Sequence, residues 1–491
     1  MKRIKRYLLL VHRWFGVAMC LLLMLWFASG IIMMYVEYPE LTEAERIALL
    51  PALVTDRIKL DPVEAAARAQ TRNGKPLAAL RLSSVLGRPA YQVRDQGGTL
   101  TTVFADNGEI LKGLNAQQAA AAVLHSGYAM AAAVPIHAQK IDMDQWTISS
   151  ALDGDRPLYR VQVGDADGTV LYVSSRSGQI VRDTNRHERF WNWLGSTIHW
   201  IYPLQLRRHA GLWTEVIIYL ALAGLVSVVT GGIIGFMRIR LKKRHQGQPL
   251  SPYRGIDKWH HLLGLGCLVF VFTFLFSGLM SMGPWGIFAG ESSAAEQIKR
   301  YTGGNPGNLR NFPPLNLQAL GTVKEVSWEQ LGGQGHLVLT RAAKLRQVVF
   351  DGTGMAAPAA ILRDRITRAI PALLPMATVT ARDVLTEYDD YYYSRHQRYR
   401  PLPVMRATFD DAEATGYYID LATGIVVSRF TTATRMERWL YNGLHSLDFP
   451  FLLARRPLWD VLVILLCLVG LGFSVTSVIM GWRRLSLSRS R

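Results

Sequence analysis

Residues 189–238 read RFWNWLGSTIHWIYPLQLRRHAGLWTEVIIYLALAGLVSVVTGGIIGFMR, and residues 435–484 read RMERWLYNGLHSLDFPFLLARRPLWDVLVILLCLVGLGFSVTSVIMGWRR. The two stretches align without a gap at a constant offset of 246. Arg189, Trp193, Leu194, His199, Trp213, Leu220, Gly224, Val229, Thr230, Gly235 and Arg238 recur as Arg435, Trp439, Leu440, His445, Trp459, Leu466, Gly470, Val475, Thr476, Gly481 and Arg484. Leu and Val enrichment makes apolar helices look alike, but it does not place Trp, His and Arg landmarks at one offset. Each copy carries an apolar run near the ~20 residues needed to cross a bilayer.

Outward from this pair lie two more apolar runs, about 7–36 and 259–282. They align with each other at an offset of 248, matching His12, Gly16, Ser29 and Gly30 to His260, Gly264, Ser277 and Gly278. The first follows Lys2, Arg3, Lys5 and Arg6 like a secretory signal, but it is too long and lacks a small-x-small cleavage site, so it reads as an uncleaved anchor. The expected fold is an α-helical integral membrane protein with four transmembrane helices as two parallel repeats about an axis along the membrane normal. Its segments are helix 1 with a basic tail (1–36), a first α+β domain (37–205), helix 2 (206–238), a basic loop (239–258), helix 3 (259–283), a second α+β domain (284–456), helix 4 (457–482) and a basic tail (483–491).

Composition agrees with a membrane: hydrophobic residues make up 49% of 491, yet Lys and Arg outnumber Asp and Glu by 55 to 37. A basic balance can mean nucleic acid, but here the charges cluster beside the apolar runs, as topology signals do. Arg240, Lys242, Lys243, Arg244 and Arg254 fill the middle loop, and Arg483, Arg484, Arg489 and Arg491 the tail. Basic residues near helix ends resist translocation, so both termini and the middle loop are expected in the cytoplasm of a bacterial inner-membrane protein. The two long segments then face the periplasm. All three cysteines, Cys20, Cys267 and Cys467, fall in apolar spans, which leaves the external segments no disulfide framework and no cysteine-ligated metal site.

A single histidine at a membrane interface is more often a satisfied or snorkelling residue than a ligand, but four at repeat-matched positions reverse that weighting. His12 and His260 open the odd helices at the cytoplasmic end; His199 and His445 precede the even helices at the external end. A two-fold axis opposes the members of each pair, and two opposed imidazoles are the axial set of a six-coordinate haem b iron. Two haems across the bilayer would form an electron path. Gly16 and Gly264 share a helix face with their histidines, where a missing side chain leaves room for a flat ligand or for close helix packing. Arg13 and Lys258 inside, and Arg207, Arg208, Arg455 and Arg456 outside, stand where propionates could be neutralised, although such residues are usually topology signals. His261 competes with His260, but only His260 keeps the spacing to glycine.

These residues resemble the PepSY-associated transmembrane proteins, which include iron-regulated membrane proteins and ferric-siderophore reductases of the bacterial inner membrane. The resemblance is carried by His12-Arg-Trp-Phe-Gly16 with Ser29-Gly30, Trp259-His260-His261-Leu-Leu-Gly264 with Ser277-Gly278, and Gly443-Leu-His445 before a last helix ending in Gly481-Trp-Arg-Arg484. Ser29 and Ser277 stand where the family's threonine is expected. In the external segments, Asp61 to Leu114 is similar to a PepSY module, with a helix over Pro62 to Arg72, alternating strands, and the turn Phe104-Ala-Asp-Asn-Gly108. Comparable endings occur at Val173 to Gly178 and Ile419 to Gly424.

The resemblance implies haem binding and electron transfer to a periplasmic acceptor such as a ferric siderophore or other ferric chelate, hence a haem-dependent oxidoreductase. The cytoplasmic segments are too short for a nucleotide-binding unit, so the electron source is separate: reduced flavin, a reductase or membrane quinol. The acceptor is expected near Trp191, Trp193, Trp200, Tyr202, Trp439 and Tyr441, with Tyr388 to Tyr393, Arg395 and His396 as a candidate lip. The rival reading is a membrane-tethered PepSY binding or peptidase-regulating protein in which the histidines are incidental. A transporter ranks lower, because the helix centres lack carboxylates for ion coupling.

Overall fold

The computed structural model describes residues 2–128, 137–241, 247–288, 294–304, 309–394 and 399–489. It divides into a helical unit of residues 1–38, 188–289 and 433–491, and a sheet-rich unit of residues 39–187 and 290–432.

Three helices of the first unit are long and apolar enough to cross a membrane: α1 (Lys2–Met33), α2 (Ala210–Arg238) and, last in the chain, the helix Leu458–Arg489. The third expected span is a bent pair, α3 (Gly255–Gly266) and α4 (Leu268–Ser281), meeting at 65°, so four spans are present only if this pair crosses as one. The break falls at Cys267, just past Gly264 and Gly266, where the backbone leaves helical geometry and the thiol bonds the Leu263 carbonyl. Glycine weakens a helix at such a point and is a usual cause of a kink. The last helix is α5 (Leu458–Arg489). Met19, Leu23 and Phe27 of α1, Val228 of α2, Val271 and Leu275 of α4, and Val463 and Cys467 of α5 form the core between them. Small residues let the backbones close: a Cβ on Gly470 would fall 2.6 Å from the Phe27 ring, and one on Gly235 would fall 2.7 Å from Leu265.

The sheet-rich unit holds β1 (Leu77–Val85), β2 (Arg88–Asp95), β3 (Leu100–Phe104), β4 (His137–Ile141), β5 (Leu158–Gln162), β6 (Val170–Ser174) and β7 (Ile180–Thr184) from the first long segment. From the second come β8 (Glu325–Leu331), β9 (Gln334–Ala342), β10 (Leu345–Val349), β11 (Val379–Leu385), β12 (Val404–Phe409), β13 (Gly416–Asp420) and β14 (Val426–Phe430). Two antiparallel meanders, β4 to β7 and β11 to β14, each belong to one segment, whereas the six-stranded sheet β10-β9-β8-β1-β2-β3 draws from both. Its seam is the β1–β8 pairing, Leu80 opposite Trp328 and Ser83 opposite Glu325. The two segments therefore share one sheet, and the interfacial residues 188–209 go with the helices. A helix spans Pro62–Asn73, capped by Asp61, and packs its alanines on the six-stranded sheet with Leu80, Tyr91 and Trp328. The three anticipated turns share one build: Gly108, Gly178 and Gly424 have φ near +75°, and each N–H returns to the carbonyl four residues back. Only glycine takes that backbone without strain.

Beside the seam, Arg46 reaches Glu325 at 2.8 Å and Glu43 at 2.7 Å, while Lys324 Nζ donates to the Ile47 and Ala48 carbonyls. The Glu325 side chain is only 4% exposed and that of Glu43 51%. Glu325→Ala removes the buried, charge-assisted bonds but leaves Arg46 paired with Glu43, so it is expected to cost about 1.5–3 kcal/mol, whereas Glu43→Ala costs under ~1 kcal/mol. Melting of the full chain in detergent checks both. His336 on β9 is fully buried, and the backbone of Gln334 and Thr423 only partly offsets that burial. Burial, aided by the Arg365 guanidinium, pushes its imidazole down to about 4. The unfolded chain binds the extra proton first, so stability should fall as pH drops from about 6.5 toward that value. His336→Leu should flatten the fall when melting at pH 7 and pH 5 is compared.

Candidate functional site

His12 of α1 faces His260 of α3 with ring centroids 6.3 Å apart and planes at 40°. His199 faces His445 at 6.0 Å and 75°. The four candidate ligands are thus brought together as two pairs, in the combination expected from their positions in the sequence.

The Nδ1 atoms define the state of the rings. His12 Nδ1 lies 3.0 Å from the Ser227 carbonyl, which can only accept, so this nitrogen carries the proton. His199 Nδ1 lies 3.1 Å from Ser29 Oγ and 3.2 Å from the Trp26 carbonyl; His445 Nδ1 lies 3.0 Å from Ser277 Oγ and 3.1 Å from the Phe274 carbonyl. Both serines already donate to their own helix, Ser29 to Leu25 and Ser277 to Phe274. They therefore accept from the imidazole. His260 Nδ1 meets Thr476 Oγ1 at 3.2 Å and Ser477 Oγ at 3.3 Å, and these hydroxyls donate to the Phe473 carbonyl. In all four rings the proton sits on Nδ1. The Nε2 lone pair is left without a protein partner among the described residues.

His261 differs. Its Nε2 donates to the Gly235 carbonyl at 3.0 Å, and its Nδ1 accepts from the Ser251 hydroxyl at 2.8 Å. Both nitrogens are spent on tying the 239–258 loop to α2. This separates it from His260 on chemistry as well as on spacing.

Two features of the site carried no recognised sequence signal. A π-helical turn precedes each of His199 and His445, at Trp193–Thr197 and Arg438–Gly443. Two residues beyond each histidine the backbone turns left-handed, at Ile201 (φ 50°) and Leu447 (φ 48°). The Trp213 indole then donates to the Trp200 and Ile201 carbonyls, as Trp459 does to those of Ser446 and Leu447. Ile201/Leu447 and Trp213/Trp459 are again 246 apart. Such turns and strained residues concentrate at functional sites.

Other expected site residues are placed differently. A Cβ on Gly16 would meet Ser227 Oγ at 3.7 Å, and one on Gly264 would meet the Phe473 ring at 3.0 Å; neither glycine lies on an imidazole. The glycines against the rings are Gly231 on His12, Gly30 on His199 and Gly278 on His445. Phe473, which Gly264 accommodates, stacks on His260 at 5.1 Å. Arg13 points outward and is exposed. Arg207 lies over Tyr202 and Trp213, and Arg456 over Trp459. Of the candidate lip, Tyr392 is buried and stacked on Tyr418, whose hydroxyl donates to Asp389, whereas Tyr388 is 43% exposed and its hydroxyl donates to the Arg400 carbonyl. Arg395 and His396 lie outside the described residues. No group of three or more His, Cys, Asp or Glu is placed to hold a metal ion among the described residues.

Residues 9–484 match the family described as the PepSY-associated TM region. The chain belongs to that family. It is a multi-pass membrane protein, and the matched span takes in all four paired histidines. No curated protein matches this PepSY-associated TM chain.

Gly231→Ala sets a Cβ 2.6 Å from His12 Cε1, against ordinary contact at Gly16. Overpacking of this kind costs about 1–3 kcal/mol. Gly231→Ala should lower the melting temperature in detergent, and Gly16→Ala should leave it near that of the parent.

Proposed function

We propose that this chain is a di-haem b electron-transfer protein of a bacterial inner membrane, carrying electrons from a cytoplasmic-side donor to a periplasmic ferric chelate. In this reading His12 and His260 form an inner centre, and His199 and His445 form an outer one. The observation that carries it is that two imidazoles face each other in each pair with every Nδ1 already committed to a neighbouring oxygen. The 6.3 and 6.0 Å separations of the ring centroids would leave room for an iron at about 2 Å from a nitrogen of each ring.

When bound, haem supplies one-electron ferric–ferrous chemistry at a potential set by its ligands and surroundings. The chain's residues bind and orient. The four imidazoles would hold the two haem irons, the hydroxyls and carbonyls at Nδ1 fix their tautomer, and Phe473 and Tyr441 flank His260 and His445. The apolar core of α1, α2, α4 and α5 keeps water from the interval between the pairs. The matching contacts 246 residues apart support two parallel repeats, and the basic loop and tails support cytoplasmic termini. Inner-membrane lipid surrounds the helices. Each ferric chelate takes one electron and becomes ferrous; the electron comes from reduced flavin, a reductase or quinol.

The reduced-minus-oxidised absorption spectrum of protein purified after expression with ample haem is expected to contain two b-type centres. His12→Ala or His260→Ala should remove one, His199→Ala or His445→Ala the other, and His261→Ala neither. Absence of haem bands from the parent would overturn the proposal.

A further inference from the structure

The two pairs hold their Nδ1 protons differently. Both outer rings have the same clamp, a backbone carbonyl and a serine hydroxyl, with the matched distances of the two halves agreeing within 0.1 Å. The inner rings do not match each other: His12 has only the Ser227 carbonyl, and His260 only the hydroxyls of Thr476 and Ser477. The repeat breaks here for a steric reason. The counterpart of Ser477 is Gly231, where the His12 ring leaves no room for a side chain, and the counterpart of Ser227 is Phe473, which stacks on His260.

From this difference, and resting on the di-haem reading above, we infer that Ser29 and Ser277, with the Trp26 and Phe274 carbonyls, are positioning residues that make the outer centre the lower-potential one of the two. A hydrogen bond from Nδ1–H to oxygen shifts electron density toward Nε2 and makes the ring a stronger donor. A stronger donor stabilises ferric over ferrous iron and lowers the potential. Carbonyls accept along the peptide dipole, and hydroxyls already engaged as donors are polarised into better acceptors, so each oxygen at Nδ1 adds to the donation at Nε2. The outer pair has two carbonyls and two hydroxyls; the inner pair has one carbonyl and two hydroxyls. The serines thus do more than satisfy a helix turn. They leave the outer centre the stronger one-electron reductant, on the side from which the acceptor draws.

The test is a spectroscopic redox titration of the purified full chain, with centres assigned by the histidine variants. Two transitions are expected, the lower lost in His199→Ala or His445→Ala. Ser29→Ala and Ser277→Ala should each raise the lower transition and leave the upper one in place. Thr476→Val should raise the upper one alone. Should Ser277→Ala lose the outer centre, Ser277→Thr, which keeps a hydroxyl, should retain it with the parent's low potential. The inference is overturned if the lower transition belongs to His12 and His260, if Ser277→Ala moves neither transition, or if Ser277→Thr behaves as the alanine variant, while both centres are present in the parent. A parent without haem overturns the di-haem reading itself and this inference with it.

Discussion

Four imidazoles sit among apolar helices, and each spends its Nδ1 proton on an oxygen of a neighbouring helix. An imidazole buried without such a bond would cost several kcal/mol in a medium that offers no water, so these contacts restrict which helix faces can meet. Ser29 and Ser277 must turn toward His199 and His445, Ser227 toward His12, and Thr476 toward His260. With Nδ1 committed, the rings face each other in two pairs, His12 with His260 and His199 with His445.

The two halves reach this arrangement by a shared local device. A π-helical turn before each of His199 and His445 shifts the ring out of ordinary helical phase, and a left-handed residue two positions later stops the segment. Ile201 and Leu447 are poor residues for that backbone, at a cost of order 1–3 kcal/mol each. The indole N–H groups of Trp213 and Trp459 offset part of this by satisfying the carbonyls the stop exposes. The Trp landmarks that make the duplication visible are therefore clamps on the histidine segments, as well as aromatic residues at the ends of apolar helices.

Packing in the sheet-rich unit follows another constraint. Neither long segment closes its own hydrophobic surface; β1 and β8 supply each other's missing edge, and the Arg46–Glu325 pair is buried beside that seam. Pairing residues about 245 positions apart is entropically demanding during folding. Antiparallel meanders made from consecutive strands, β4 to β7 and β11 to β14, give each segment local structure that does not depend on the seam.

Read alone, the residue order showed the family, the apolar runs and two stretches alike at one offset, and it singled out four histidines as candidates, because hydrophobic length and recurring polar landmarks survive in one dimension. It also located the helix after Asp61 and the three glycine turns, which depend on neighbouring residues only. Tertiary structure decided the rest. The bend at Cys267, the π-helical turns, the shared six-stranded sheet and the choice of Gly30, Gly231 and Gly278 over Gly16 and Gly264 as the glycines against the rings all depend on contacts between residues distant in the chain. So does the distinction between His260 and His261. Adjacent in sequence, they differ because a helix rotates successive side chains by about 100°, turning one toward His12 and the other toward Ser251 and Gly235.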